Sequence, residues 1–250
     1  MTLRISGLIT VRSQSSRLPN KCFLSLNGII LLQHIITRCI TGGIEPIICT
    51  TNNLKDRKIV GLAKKNKIKF FAGSEKNKIL RWYDCCKKFH VKAFHTIDAD
   101  DPFFDWDSVK KSFKELKSSK KDIILPSKVS RDGAASEGYS VTINCLKKIF
   151  SFNKNYKKQN FDTEIIEPFL NRNISKSIFK GSLYEIKNCR LTLDYREDFK
   201  LLNKIAQNCG NFNHRKNINL YLKKNKQLLK INFNKNAEWK KKQIKFIEGI

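Results

Sequence analysis

The chain has 250 residues, 40% of them hydrophobic, and 50 Lys and Arg against 22 Asp and Glu, a formal net charge of +28. That length accommodates one large domain or two small ones with a substantial core, and no window supplies the roughly 18 uninterrupted apolar residues of a membrane span. The positive charge is spread along the chain, with no compact basic block before about residue 215, which argues for attraction to small anions over nucleic acid as the main partner.

The elements follow in chain order. Residues 3–11 are an apolar run; "MTLRISGLITV" is followed by no small-residue cleavage site, so it reads as a first strand of a cytoplasmic protein. "GIILLQHIITRCI" (28–40) places Leu31, Leu32, Ile35, Ile36 and Cys39 on one helical face. Strands are predicted at 45–50, 68–73, 91–98 and 122–127, with amphipathic helices at 54–66, 76–89 and 106–119 between them. Strands alternating with helices of this length predict βαβ units and a mostly parallel sheet. Beyond about residue 128 the rhythm changes. "GYSVTINCLKKIF" reads as strand then helix, 161–187 as a helix followed by short strands, "CRLTLD" (189–194) as a strand and "YREDFKLLNKIAQ" as a helix. A last helix spans 217–229 and the tail is basic and polar. One domain covering 1–250 with a small appended lobe around 161–187 is the simplest organisation. The eight cysteines include no C-x-x-C pair, and the four histidines show no zinc-like spacing; buried free thiols are expected.

In an open α/β sheet, ligands sit beyond the carboxyl ends of the strands, and three such ends carry chemistry. After the first strand, "VRSQSSRLPNK" supplies Arg12, Arg17 and Lys21 with the hydroxyls of Ser13, Ser15 and Ser16, groups suited to phosphate. Neither a P-loop nor G-x-G-x-x-G is present, and a plain solvated basic loop is the alternative. The second end, "TIDADDPFFD" (96–105), crowds Asp98, Asp100 and Asp101 into one turn. Such crowding is costly without a cation, and Mg²⁺ favours one or two carboxylates plus phosphate oxygens; Asp105 or Asp107 would cap the next helix. The third offers Asp194, otherwise an ordinary helix-start aspartate, while Asp198 suits the first turn of the helix that follows. Together these ends describe cations holding a triphosphate and aspartates holding Mg²⁺ for nucleotidyl transfer.

"VRSQSSRLPNKCFLSLNGIILLQHIITR", "GSEKNKILRWYDCC", "IDADDPFFD", "RLTLDYREDFKLLNKI" and "INLYLKKNKQLLKIN" occur in that order. They resemble segments of the cytidylyltransferases that activate acidic sugars, the CMP-Kdo and CMP-nonulosonate synthetases, and in particular the branch named for a spore-coat polysaccharide protein. The resemblance implies a three-layer nucleotide-diphosphosugar transferase fold, Rossmann-like and similar to the GT-A fold. It implies CTP as substrate, Mg²⁺ as cofactor and transfer of CMP to a Kdo- or nonulosonate-like sugar with release of pyrophosphate, for surface polysaccharide synthesis. Arg12, Ser15, Arg17 and Lys21 fall on its nucleotide-gripping positions, with Asp98 beside the nucleotide. Asp100 and Asp194 fall on its metal positions, and Arg17, Lys21 and Asp100 are the expected catalytic residues. Relatives of this kind are often homodimers.

This chain departs from the family pattern at Val11 for alanine, Ala99 for glycine, Asp98 for a neutral residue and Thr142 for a glutamate. The last two bear on the sugar pocket and on activity. Lys128, Arg131 and Arg190 are candidates for pairing with a sugar carboxylate. D-A-D at 98–100 also mimics the D-x-D of metal-dependent glycosyltransferases, which lack the triphosphate-gripping loop. A basic nucleic-acid-binding protein, resting on the charge and the tail at 223–245, is the remaining alternative.

Overall fold

The structure, a computed structural model, describes residues 4–15, 17–127, 130, 137–181, 186 and 188–248, with the side chains of 242, 243 and 245–248 left aside. Ser16, Lys128 and Arg131 lie outside the described residues.

β1 (Ser6–Thr10) leads through a short hairpin, β2 (Ser25–Leu26) and β3 (Ile29–Ile30), into α1 (Leu31–Thr41). β4 (Glu45–Thr51), α2 (Arg57–Lys65), β5 (Lys69–Gly73), α3 (Lys78–Lys88), β6 (Ala93–Asp98) and α4 (Trp106–Ser119) continue the alternation. Then come β7 (Ile123–Leu125), β8 (Ser140–Thr142), α5 (Ile143–Phe152) and β9 (Lys176–Ile178). α6 (Arg196–Cys209), α7 (Arg215–Lys224) and α8 (Lys235–Glu248) follow. Side chains start several of these helices: Asn77, Asp105 and Thr142 accept from backbone N–H groups in the first turns of α3, α4 and α5.

Seven strands form one sheet in the order β5-β4-β1-β6-β8-β7-β9. β1 is parallel to β4 and β6, and β4 to β5, while β8 runs antiparallel between β6 and β7. The central strands are apolar on both faces because both are covered. Ile9 and Ile48 face α1, α2 and α4, whereas Leu8, Ile47 and Cys49 face α3 and α5. This is the three-layer, mostly parallel α/β fold expected. A third cluster, around Leu26, Leu191, Leu193, Leu201, Leu202, Ile205 and Ile218, packs α6 and α7 beside the β2–β3 hairpin.

The chain leaves β1 toward β4 and β5 on one side, and β6 lies on the other. The crevice between the carboxyl ends of β1 and β6 is therefore the switch point where such sheets hold ligands. Thr10 and Asp98 are paired across it. At the sheet's outer end, the ammonium of Lys88 lies 5.3–5.9 Å from the rings of Phe70, Phe71 and Phe89, with Lys64 over Phe70 and Lys69 over Phe89.

Three segments differ from expectation. Residues 189–194 form no strand: the segment runs alongside the turn after β6, where Leu193 N–H donates to the Asp100 carbonyl (2.8 Å). Within 161–187 the described helical structure is a single 3-10 turn, Glu167–Phe169, with Pro168 in it. The helix expected last is followed by another, since residues 235–248 within the basic, polar tail are helical. All eight cysteines are free thiols, and all but Cys209 are buried.

Candidate active site

The loop after β1 is held by its own start. The Ser13 backbone N–H and hydroxyl both donate to Asp56 Oδ1 (2.7 and 2.6 Å), and Thr51 Oγ1 donates to Asp56 Oδ2. Asp56 is only 2% exposed, so its carboxylate is held by three hydrogen bonds inside the protein. Asn20 N–H closes the loop on the Ser13 carbonyl (2.9 Å), and Asn20, in the left-handed region (φ 58°), turns the chain into a 3-10 turn at Lys21–Phe23.

That turn points Lys21 inward. Its ammonium donates to Asp100 Oδ2 (2.7 Å), to Asp194 Oδ1 (2.9 Å) and to the Leu193 carbonyl (2.8 Å), which satisfies its three protons. Burial works against the charge on Lys21, yet Asp100 and Asp194 outweigh it and raise its pKa above the ordinary lysine value. The Arg17 guanidinium joins from the rim through Nη2 to Asp194 Oδ1 (2.6 Å), and its Nε is buried with no hydrogen-bond partner among the described residues.

The acids are unequal. Burial, with Asp194 and Asp98 nearby, raises Asp100 to about 6 against the pull of Lys21. Asp101, more deeply enclosed and flanked by Asp98 and Asp100, is pushed well up. Asp194 is buried too, but Lys21 and Arg17 hold it far below the usual carboxylate range. Behind it, Arg190 is fully enclosed and forks to Asp194 Oδ2 (2.9 Å) and Asp198 Oδ1 (2.9 Å). Asp198 Oδ2 accepts the backbone N–H groups of Asp194 and Tyr195 (2.8 and 2.9 Å), fixing the start of α6.

The structure thus brings Arg17, Lys21, Asp100 and Asp194 into direct contact. Asp98 ends β6 at the same mouth. Arg12 is turned to the rim, where Nη2 meets Glu164 Oε2 (3.3 Å) with both side chains about half exposed. Ser15 Oγ accepts from Leu18 N–H (3.4 Å) within the loop. Lys78, Arg12, Arg81 and Lys21 together pull the Glu164 pKa down.

Two expectations change. Arg190 is not a surface cation available to a sugar; it is enclosed with two carboxylates. Thr142 does not border the crevice, because it pairs with Ala93 at the far end of β6 and caps α5. Sequence reading missed Asp56, which looks like an ordinary helix-start acid in "LKDRKIV", and Glu164, which no motif marks.

The donor set fits a divalent cation in one respect. Asp100 Oδ2 and Asp194 Oδ1 converge on a single point of positive charge, as one- or two-carboxylate Mg²⁺ sites require. Among the described residues, no group of three or more His, Cys, Asp or Glu side chains is placed to hold a metal alone. A cation there would rely on substrate oxygens for its remaining ligands.

A switch-point crevice that sets two cations against two acids suits chemistry on nucleotide phosphates. A family model described as cytidylyltransferase matches residues 6–230, and the chain belongs to that family, whose enzymes transfer CMP from CTP. The uncharacterized protein MJ1063 of Methanocaldococcus jannaschii is 28% identical over 240 residues, spanning 93% of this chain and 96% of that protein. A cytidylyltransferase from Leptospira borgpetersenii serovar Hardjo-bovis has the same fold, with TM-score 0.75, 19% identity and coverage of 91% of this chain and 97% of that one. CMP:2-keto-3-deoxy-manno-octonic acid synthetase complexed with CTP also shares the fold, with TM-score 0.63, 12% identity and coverage of 82% and 99%. No helix among the described residues is long and apolar enough to cross a membrane.

Proposed function

We propose that this enzyme transfers CMP from CTP to an acidic sugar of the Kdo or nonulosonate kind, releasing pyrophosphate, in the cytoplasmic supply of surface polysaccharide. The observation that carries the reading is the convergence of Asp100 and Asp194 on Lys21 beside Arg17, at the carboxyl ends of β1 and β6. The fold shared with a CMP-Kdo synthetase and the collinear motifs support the acidic sugar.

The chemistry assigned to the residues is electrostatic. The Arg17 guanidinium, its side chain partly exposed at the rim, grips phosphate oxygens. Arg12 and Ser15 at the rim, with Asp98 beside the nucleotide, bound its path. The sugar hydroxyl attacks the α-phosphorus and gives up its proton to solvent, the bond from that phosphorus to its bridging oxygen breaks, and pyrophosphate leaves with the electron pair. Lys21 neutralises charge as it develops on the phosphates. Asp100 and Asp194 would hold Mg²⁺, which when bound supplies further neutralisation of the triphosphate. Homodimerisation belongs to the same reading.

The test is pyrophosphate release from CTP with Mg²⁺ and a panel of acidic sugars, alongside thermal-shift screening against the four nucleoside triphosphates. A shift selective for CTP is expected, because a ligand confined to the folded state stabilises it. Arg17→Ala and Asp100→Ala should each cost ~10²-fold in rate; normal turnover in both would overturn the site assignment.

A further inference from the structure

The polar network behind Asp194 does not end within the residues the family model matches. That match stops at residue 230, and the next segment sends two asparagines back into the protein. Asn232 is fully buried; its Nδ2 donates to Asp198 Oδ1 (2.8 Å) and to the Arg190 carbonyl (3.0 Å). Asn236, the second residue of α8 and 9% exposed, accepts from Arg190 Nη1 (3.2 Å) through Oδ1. Between them, Lys235 reaches toward Glu197 (3.5 Å) and lies 5.2 Å from the centre of the Tyr195 ring.

These contacts have one destination. Arg190 carries two charge-assisted bonds to Asp198 and one to Asp194 Oδ2. With Oδ2 engaged there, Asp194 presents Oδ1 to Arg17 and Lys21. The guanidinium plane therefore sets which oxygen of Asp194 faces the crevice and at what tilt. Asn236 holds that plane at Nη1, and Asn232 holds the Asp198 carboxylate against which it forks. A buried amide is costly unless its hydrogen bonds are made, and Asn232 Oδ1 finds no partner among the described residues, so the two side chains need an account. Packing alone would be better served by leucine.

We propose that Asn232 and Asn236 are positioning residues for Asp194, acting through Asp198 and Arg190, so that the carboxy-terminal segment sets the geometry of the cation site. The proposal rests on the reading of Asp194 as a cation-holding group. Outer partners of metal-ligating carboxylates, when removed, typically weaken metal binding 10–100-fold.

The experiment is calorimetric titration of full-length protein with CTP, in Mg²⁺ and in EDTA, for wild type, Asn232→Leu, Asn236→Leu, Asn236→Asp and Asp194→Asn. The ratio of the two affinities isolates the gain due to metal. The leucine variants should shrink that gain ~10-fold while affinity in EDTA stays within about twofold. Asn236→Asp keeps an acceptor for Arg190 Nη1 and should retain the gain. If Asn236→Leu keeps the full gain, or if affinity in EDTA falls in parallel, the asparagines only support the fold and the proposal is overturned. Should Asn232→Leu fail to fold, the Asn236 pair decides alone. A wild type without any gain from Mg²⁺, or Asp194→Asn with an undiminished one, refutes instead the reading on which the proposal stands.

Discussion

Replacing Lys21 with methionine keeps most of the side chain's volume and removes its charge. In the folded protein the ammonium is 6% exposed at residue level and bonds Asp100 Oδ2 at 2.7 Å, Asp194 Oδ1 at 2.9 Å and the Leu193 carbonyl at 2.8 Å. Breaking a buried ion pair by deleting one partner costs about 3–5 kcal/mol. Asp194 retains Arg17 and Arg190, at 2.6 and 2.9 Å, so it is the lesser sufferer. Asp100, already raised to about 6, loses the cation that opposes its burial and takes up a proton near neutrality. That relief places the loss toward the low end, about 3 kcal/mol, or roughly 6–12 °C in melting temperature for a chain of this size. Scanning calorimetry measures it. Mg²⁺ should stabilise the variant more than the wild type, because a bound cation would replace the charge that Lys21 supplied and displace the proton from Asp100. Pyrophosphate release should fall ~10²–10³-fold, as for loss of a charge aimed at the transition state. A variant that melts within about 2 °C of wild type, with normal turnover, would show that Lys21 is not the hub of the site.

Three more outcomes follow from other parts of the molecule. Asp56→Ala leaves the Ser13 N–H and the Ser13 and Thr51 hydroxyls without their acceptor; a loss of about 2–4 kcal/mol in urea unfolding, with KM for CTP raised as the loop loosens, is expected, and an unchanged KM refutes the anchoring role. Gly138→Ala should be severe, since φ is +67° and a Cβ would meet the Thr96 carbonyl oxygen at 2.2 Å; a melting temperature lower by roughly 5 °C or more is the expected result, and no change would contradict the close approach. Acid should destabilise the fold through two enclosed histidines. His95, whose Nε2 donates to the Glu137 carbonyl and whose Nδ1 faces the Ser140 hydroxyl, is lowered by burial to about 4, and His34, by burial and the Arg38 charge, also to about 4. The unfolded chain protonates near 6.5 and the folded one does not, so stability is complete above that value and falls as pH drops toward 4, by up to about 3 kcal/mol per histidine. Urea unfolding at pH 7 and pH 5 should show a smaller difference in His95→Gln than in wild type; equal differences would exclude His95.

Much of this was legible in the residues, for identifiable reasons. From β1 to α4 each strand is a continuous apolar run and each helix a clean amphipathic stripe, because both faces of the sheet are covered and each helix has one wet side. Punctuation was legible as well: Asp105 caps α4 and Asp198 serves the first turn of α6. The segment 189–194 failed because its alternation of leucines and polar residues imitates a strand, whereas Leu191 and Leu193 pack into the α6–α7 cluster and Arg190 and Asp194 answer one another. α8 failed because hydrophobic period is blind to a helix fixed by buried amides. Arg190 was misplaced for a related reason: its guanidinium is engaged by Asp194, Asp198 and, from far along the chain, Asn236, a convergence that no local pattern announces. Of the predicted site, Lys21, Arg17, Asp100 and Asp194 came together, while Arg12 and Ser15 lie at the rim.

The lysines over Phe70, Phe71 and Phe89 have a bearing on how copies of this protein behave in company. β5 ends the sheet, and a terminal strand offers unpaired amide groups to any similar strand that arrives. Lys64 and Lys88 crown that margin with like charge and shield its aromatic rings, while Lys69 pairs with Glu45 (2.8 Å). Two molecules meeting margin to margin repel before their backbones can zip together. Part of the surplus of positive charge thus sits where it opposes pairing at that margin, a task unrelated to nucleotides.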